Sequence, residues 1–168
     1  GGTWIGVNDH RVAITLLNNY QEDARFTPEG KAVSRGLLVK DVLAMTSLAA
    51  IEAHLRERPL RNTRPFVLAA GQLDATTPNT ATAIVATWSG TALEIESRAL
   101  PILLISSSYK LEEAITARSS ALSPLMGDAP PTAPEDIIGL FSQHDPEPGP
   151  FTVSMSREDA RSVSHTLI

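Results

Sequence analysis

Apolar and polar positions alternate early in this chain. Trp4 to Val7 and Val12 to Leu17 read as strands, and Asn8-Asp9-His10 between them supplies the turn formers of a hairpin. Asn19 to Val33 is polar and carries Pro28-Glu29-Gly30, which predicts a loop. The period then changes. Leu37, Leu38, Val42, Leu43 and Met45 fall on a helical stripe that Ser34 can cap, and Leu48, Ile51 and Leu55 fall on a second stripe that Ser47 can cap and Pro59 ends. Glu52 and Arg56 on the second helix form an i, i+4 pair worth a few tenths of a kcal/mol at most.

The middle returns to strand patterning. Phe66 to Ala70, Ala83 to Trp88, Ala92 to Glu96 and Ile102 to Ile105 are short apolar or alternating runs, with Ser89-Gly90 as a tight turn and Gly71 to Thr80 as a longer polar one. Leu111 to Leu125 resumes helical spacing. Asp128 to Pro134 is proline-rich and predicts a surface loop, and Pro134 stands at a first helical position followed by Glu135 and Asp136. That helix is expected to end near Gln143, before two final strands near Thr152 to Met155 and Val163 to Ile168. Tight turns between consecutive strands favour antiparallel sheets, and helices grouped between them favour an α+β fold.

Composition narrows the class. The 168 residues suit one domain over 1–168, and 42% hydrophobic with 20% charged residues is a globular balance. A formal net charge of −5 argues against a nucleic-acid partner. Arg56, Arg58, Arg61 and Arg64 are spread over a helix end and a loop and read as a solvated face. There is no cysteine, hence no disulfide and no thiolate metal site within the sequence. No apolar run is long enough to span a bilayer, and no signal-peptide pattern opens the chain, so the cytoplasm is the expected compartment. The opening Gly1-Gly2-Thr3-Trp4 without Met, and the alternating close Val163 to Ile168, suggest a domain cut inside secondary structure at both ends.

Familiar catalytic motifs are absent. His10, His54, His144 and His165 lack ligand spacing, so no metal or cofactor is expected. Ser164-His165 with Asp159 has the letters of a triad, but triad members converge from separate elements. Ser106-Ser107-Ser108 reads as capping and turn chemistry. Asn18 ends an apolar strand, where a carboxamide can aim its N–H groups at a developing oxyanion. Spacing alone favours an asparagine that ends the strand and opens the loop with Asn19.

Several blocks resemble the NRDE family, whose best-known eukaryotic relative is the transport and Golgi organisation protein. Gly1-Gly2-Thr3-Trp4-Ile5-Gly6-Val7-Asn8 with Val12-Ala13 and Leu17-Asn18 is similar to its opening block. Ser34-Arg35-Gly36-Leu37-Leu38-Val39 resembles its Ser-Arg-Gly segment, with Leu37 where Glu is usual, and Pro65 to Ala70 resembles a later strand. Arg157 to Ile168 resembles its final hairpin.

The resemblance implies a four-layer αββα sandwich of antiparallel sheets, N-terminal-nucleophile-hydrolase-like, here incomplete at both ends. In that superfamily an N-terminal Cys attacks a linear carbon–nitrogen amide. Neither that Cys nor the Asn-Arg-Asp-Glu tetrad of the family is in this chain. The resemblance casts Asn18 as oxyanion donor and Arg35 and Arg161 as binding residues. Arg35 can equally pair with a carboxylate or a helix end, and Arg161 can be a strand-edge charge. Two functions stay open for the intact protein: an amidohydrolase, or a non-catalytic carrier of haem, acyl-CoA or another lipid. The 168 residues alone are expected to be inactive.

Overall fold

Alternation builds the sheet that the sequence predicts. The computed structural model describes residues 2–72, 82–142 and 149–159. Five strands, β1 (Ile5–Val7), β2 (Val12–Asn18), β3 (Phe66–Gln72), β4 (Thr82–Trp88) and β5 (Leu93–Ala99), pair antiparallel in chain order. The expected α+β fold with an antiparallel sheet is what the described residues form. Arg161 and the expected strand Val163 to Ile168 lie outside the described residues, as does most of the turn from Gly71 to Thr80.

The chain divides into two compact units, Gly1–Leu100 and Pro101–Ile168. In the first, the even positions of β2, Val12, Ile14 and Leu16, share one face with Phe66, Leu68 and Ala70 of β3 and Ile84, Ala86 and Trp88 of β4. Helices α2 (Arg35–Val42) and α3 (Leu48–Glu57) close this face with Leu38, Val39, Val42, Ile51 and Leu55, all fully buried. Each such side chain contributes about 1.5–3 kcal/mol by leaving water. The opposite face carries small or branched residues, Ala13, Thr15, Val67, Ala69, Ala83 and Val85, and the last two are buried.

Polar groups fix how these layers meet. Asn8 donates from Nδ2 to the carbonyls of Leu43 (3.0 Å) and Met45 (2.7 Å), while its Oδ1 accepts from the N–H groups of His10 (3.0 Å) and Val12 (3.1 Å). One turn residue thus closes the β1–β2 hairpin and holds the end of α2 against it. The Trp88 indole donates to the buried carbonyl of Thr63 at 2.8 Å. Gly90 turns β4 into β5 with φ of 101°, a conformation that favours glycine.

Some sequence expectations change. Leu37 is exposed on α2, where Val39 takes the buried position. Ser34 precedes α2 without a side-chain cap, whereas Ser47 does cap α3, accepting from the N–H of Ala50 at 3.2 Å. The loop after β2 contains a single helical turn, α1 (Tyr20–Asp23).

The second unit holds α4 (Leu111–Ala121), a 3-10 turn (Ser123–Met126) and α5 (Pro134–Phe141), with Pro134 in the first turn as expected. Ile102 to Ile105 and Thr152 to Met155 are not strands. Their local order comes instead from the Arg118 guanidinium on α4. It donates to the carbonyls of Ser106 (3.1 Å), Pro150 (3.3 Å) and Thr152 (3.2 Å).

Candidate functional site

The three sequence blocks around Trp4, Arg35 and Pro65 are far apart in the chain and meet at one end of the sheet. Gly2 lies directly on the backbone of Gly36, so close that a Cβ on Gly2 would stand 2.5 Å from the Gly36 carbonyl carbon. The Thr3 N–H donates to the Gly36 carbonyl at 3.1 Å, and the Leu16 N–H donates to the Trp4 carbonyl at 2.9 Å. These contacts seat the Trp4 ring beside the first residue of α2, with the Arg35 guanidinium carbon 5.4 Å from the ring centroid. The arrangement is a cation–π contact, and Trp4 stays half exposed.

Register brings the third block to the same place. Asn18, the last residue of β2, faces Phe66, so Pro65 sits beside Asn19. The Pro65 carbonyl accepts from the Asn19 N–H (3.2 Å) and from Arg35 Nη1 (2.9 Å). The two residues expected from sequence to carry the site, Asn18 and Arg35, therefore stand on either side of one strand entry. Arg161 lies outside the described residues.

Asn18 belongs to the helix-covered face, in the row of Phe66 and Trp88. Its Nδ2 donates to the Tyr20 hydroxyl at 2.7 Å. The phenol oxygen, having accepted from Asn18, keeps its own proton to donate. Asn19 makes no side-chain cap bond at the start of α1.

Charge completes the cluster. Asp23 on α1 lies 3.2 Å from Arg64 and 3.9 Å from Arg35. One carboxylate thus serves two guanidiniums and leaves one positive charge. The Arg35 side chain is 12% exposed. Burial pulls its pKa below the usual arginine value, Asp23 and then Tyr20 oppose that shift, and Arg64 adds to it. The guanidinium stays protonated at neutral pH, in a poorly hydrated position.

Charge is balanced elsewhere in this unit. A groove of about 470 Å³ has Leu55, Leu60 and Trp88 on its lining with Arg56, Arg58 and Arg61. Here each guanidinium has its own carboxylate: Glu52, Asp41 and Glu29 respectively. The arginines read from sequence as a uniform solvated face therefore divide. Arg56, Arg58 and Arg61 pair one to one, whereas Arg64 belongs to the Arg35 cluster. Sequence offered no sign of that division, because Asp23 and Arg64 are 41 positions apart.

The described histidines do not enter the cluster. His10 stands at the opposite end of β2, and His54 lies on α3. Among the described residues no group of His, Asp and Glu is arranged to hold a metal. No helix among them is long and apolar enough to cross a membrane.

A family model described as Transport and Golgi organisation 2 matches residues 1–118. The match covers the opening block, the Ser-Arg-Gly segment and the Pro65 to Ala70 strand, which are the blocks that meet in space. It ends before Arg157 to Ile168. No curated protein and no solved structure matches the chain.

Proposed function

The chain belongs to the transport and Golgi organisation 2 family, and on that premise we propose that it carries the ligand-holding residues of a small-molecule acyl site. Asn18 and Arg35 hold the ligand, and Tyr20 extends the donor row. The observation behind this reading is that Asn18 meets the Tyr20 hydroxyl while Arg35 holds the carbonyl of Pro65, the residue before the strand partner of Asn18. A carboxamide, a phenol and a guanidinium are a donor set suited to carbonyl and carboxylate oxygens. That set suits the amide or carboxylate oxygens of an acyl amide or acyl lipid.

Hydrolysis is a second reading, and it applies to a protein that also brings an N-terminal cysteine. The place of the Asn18 carboxamide at the end of β2 favours it, because a carboxamide N–H is a donor type suited to a developing oxyanion. This chain has no cysteine to start that reaction.

One pair of measurements separates these readings. Calorimetric titration with an N-acylglycine is expected to show binding, and amine release from the same compound is expected to be nil with this chain. In a cysteine-bearing longer protein, Asn18→Ala is expected to slow release about 100-fold or more. Release by this chain alone would overturn the binding reading. Unchanged turnover in Asn18→Ala would remove the oxyanion role.

A further inference from the structure

The sheet ends in two unlike edges. β1 presents three residues on one side, whereas β5 presents seven on the other, Leu93–Ala99. Among the described residues no strand pairs with the outer edge of β5, and Glu94 and Glu96 through Ala99 are exposed. The turn before β5 fixes which backbone groups face outward. The Ser89 N–H donates to the Ala92 carbonyl at 3.0 Å, and the register then sets Glu94 opposite Thr87 and Glu96 opposite Val85. Alternate residues of an antiparallel pair exchange hydrogen bonds, so Glu94, Glu96 and Arg98 bond to β4. The N–H and carbonyl groups of Leu93, Ile95, Ser97 and Ala99 point away from it.

We infer that β5 pairs antiparallel with β5 of a second copy of this chain, about a two-fold axis through Ser97. Charges on an edge strand ordinarily deter pairing, but here their signs suit a copy of the same strand. Glu96 and Arg98 flank Ser97 on one face of the sheet and pair with each other within the strand. An axis at Ser97 sets Glu96 of each copy against Arg98 of the other, twice by symmetry. Moving the axis to Glu96 or Arg98 sets that residue against itself, and moving it to Ile95 sets Glu94 against Glu96. The Ser97 axis also satisfies the backbone, since Ser97 meets Ser97 and Ile95 meets Ala99 through their outward groups. About six backbone hydrogen bonds result. On the helix-covered face, Ile95 already packs against the core, and Ala99 of the second copy extends that row. Pro101, which has no N–H, stops the ladder just beyond it.

Sedimentation velocity of the full chain from about 5 to about 500 μM is expected to show a reversible monomer–dimer equilibrium, as suits a small interface. Ser97→Pro removes the N–H at the axis, at an edge position where a strand tolerates proline, and should leave a monomer with unchanged circular dichroism. E96R and R98E each set like charges across the axis and should weaken association about tenfold or more. An equimolar mixture of these two variants places opposite charges at both cross-strand positions and should recover the dimer, an outcome that altered folding of either variant would not produce. A parent chain that stays monomeric over the whole range would overturn the inference. A dimer that survives Ser97→Pro, or that E96R and R98E leave unchanged, would place the interface elsewhere and overturn it too. Failure of the mixture to recover a dimer lost in both charge variants would overturn the Ser97 register.

Discussion

The two compact units of this chain are ordered by different means. In Gly1–Leu100, periodic faces of β2, β3 and the helices meet in one core with β4, and large side chains such as Phe66, Ile14, Leu38 and Leu68 are fully enclosed. In Pro101–Ile168, the buried hydrophobics among the described residues are Ala114 and Leu122, and α5 has no buried residue despite its apolar sequence. Order there comes from point contacts. Arg118 gathers three carbonyls, Thr152 Oγ1 lies 2.9 Å from the Gly149 carbonyl and 2.8 Å from that of Ser154, and Tyr109 stacks on Phe151. A periodic core spreads its stability over many interchangeable contacts, whereas a guanidinium hub concentrates it in one residue. The family match follows the same division, covering all of the first unit and stopping within the second.

The largest expected effect tests the periodic core. Phe66→Ala removes a fully buried ring from the centre of the first unit and is expected to cost about 3–5 kcal/mol. Phe151→Ala, which removes a half-buried ring from a single stacked pair, should cost about 1 kcal/mol. Urea denaturation followed by far-ultraviolet circular dichroism measures both. Similar costs for the two would mean that the second unit has a core of its own that its described residues do not reveal.

An intermediate effect belongs to the hub. Arg118→Met keeps an unbranched stem and deletes the bonds to Ser106, Pro150 and Thr152, with an expected cost of about 2 kcal/mol. Burial lowers the Arg118 pKa, and Arg157 lowers it further, so the residue sits under some electrostatic tension that the neutral variant relieves. The cost is therefore expected well below the simple sum for three charge-assisted bonds. Hydrogen exchange should quicken at amides of α4 and of 149–156 and stay unchanged in β2, β3 and β4. Faster exchange in β3 would show that the two units open together rather than separately.

This contrast also explains what the sequence could disclose. β2 and β3 were legible because each buries mainly one face, so alternation marks both the strand and its inward residues, while β4 is buried on both faces and shows as a short apolar run. Ile102 to Ile105 carries the same apolar run but no alternation, and it forms no strand. The Ser106 carbonyl just beyond it is taken by Arg118, a partner that no local pattern could indicate. The candidate site was half legible. Asn18 and Arg35 stood out as polar residues at the edges of apolar runs and within blocks of familiar sequence. Tyr20, Asp23 and Arg64 did not, because what recruits them is the pairing of Asn18 with Phe66, a register set by the whole sheet. Net charge at a site is a property of convergence, so a count of arginines along the chain could not tell the shared carboxylate of Asp23 from the one-to-one pairs of the neighbouring groove.

The smallest effect separates two serines that the sequence treats alike. Ser34 and Ser47 each precede a helix of the first unit, and each is a favoured residue type for a cap. Ser47 has extended backbone with ψ of 163° and accepts from the Ala50 N–H, whereas Ser34 makes no side-chain cap bond. The start of α2 is held instead by neighbours: Arg35 is tied to the Pro65 carbonyl, and Gly36 is packed against Gly2. Ser47→Ala should therefore cost about 1 kcal/mol, and Ser34→Ala less than about 0.5 kcal/mol. Chemical denaturation of both variants against the parent measures the difference. Equal costs would mean that α2 depends on its own cap, and that the contacts gathering Trp4, Arg35 and Pro65 hold the helix less firmly than their geometry implies.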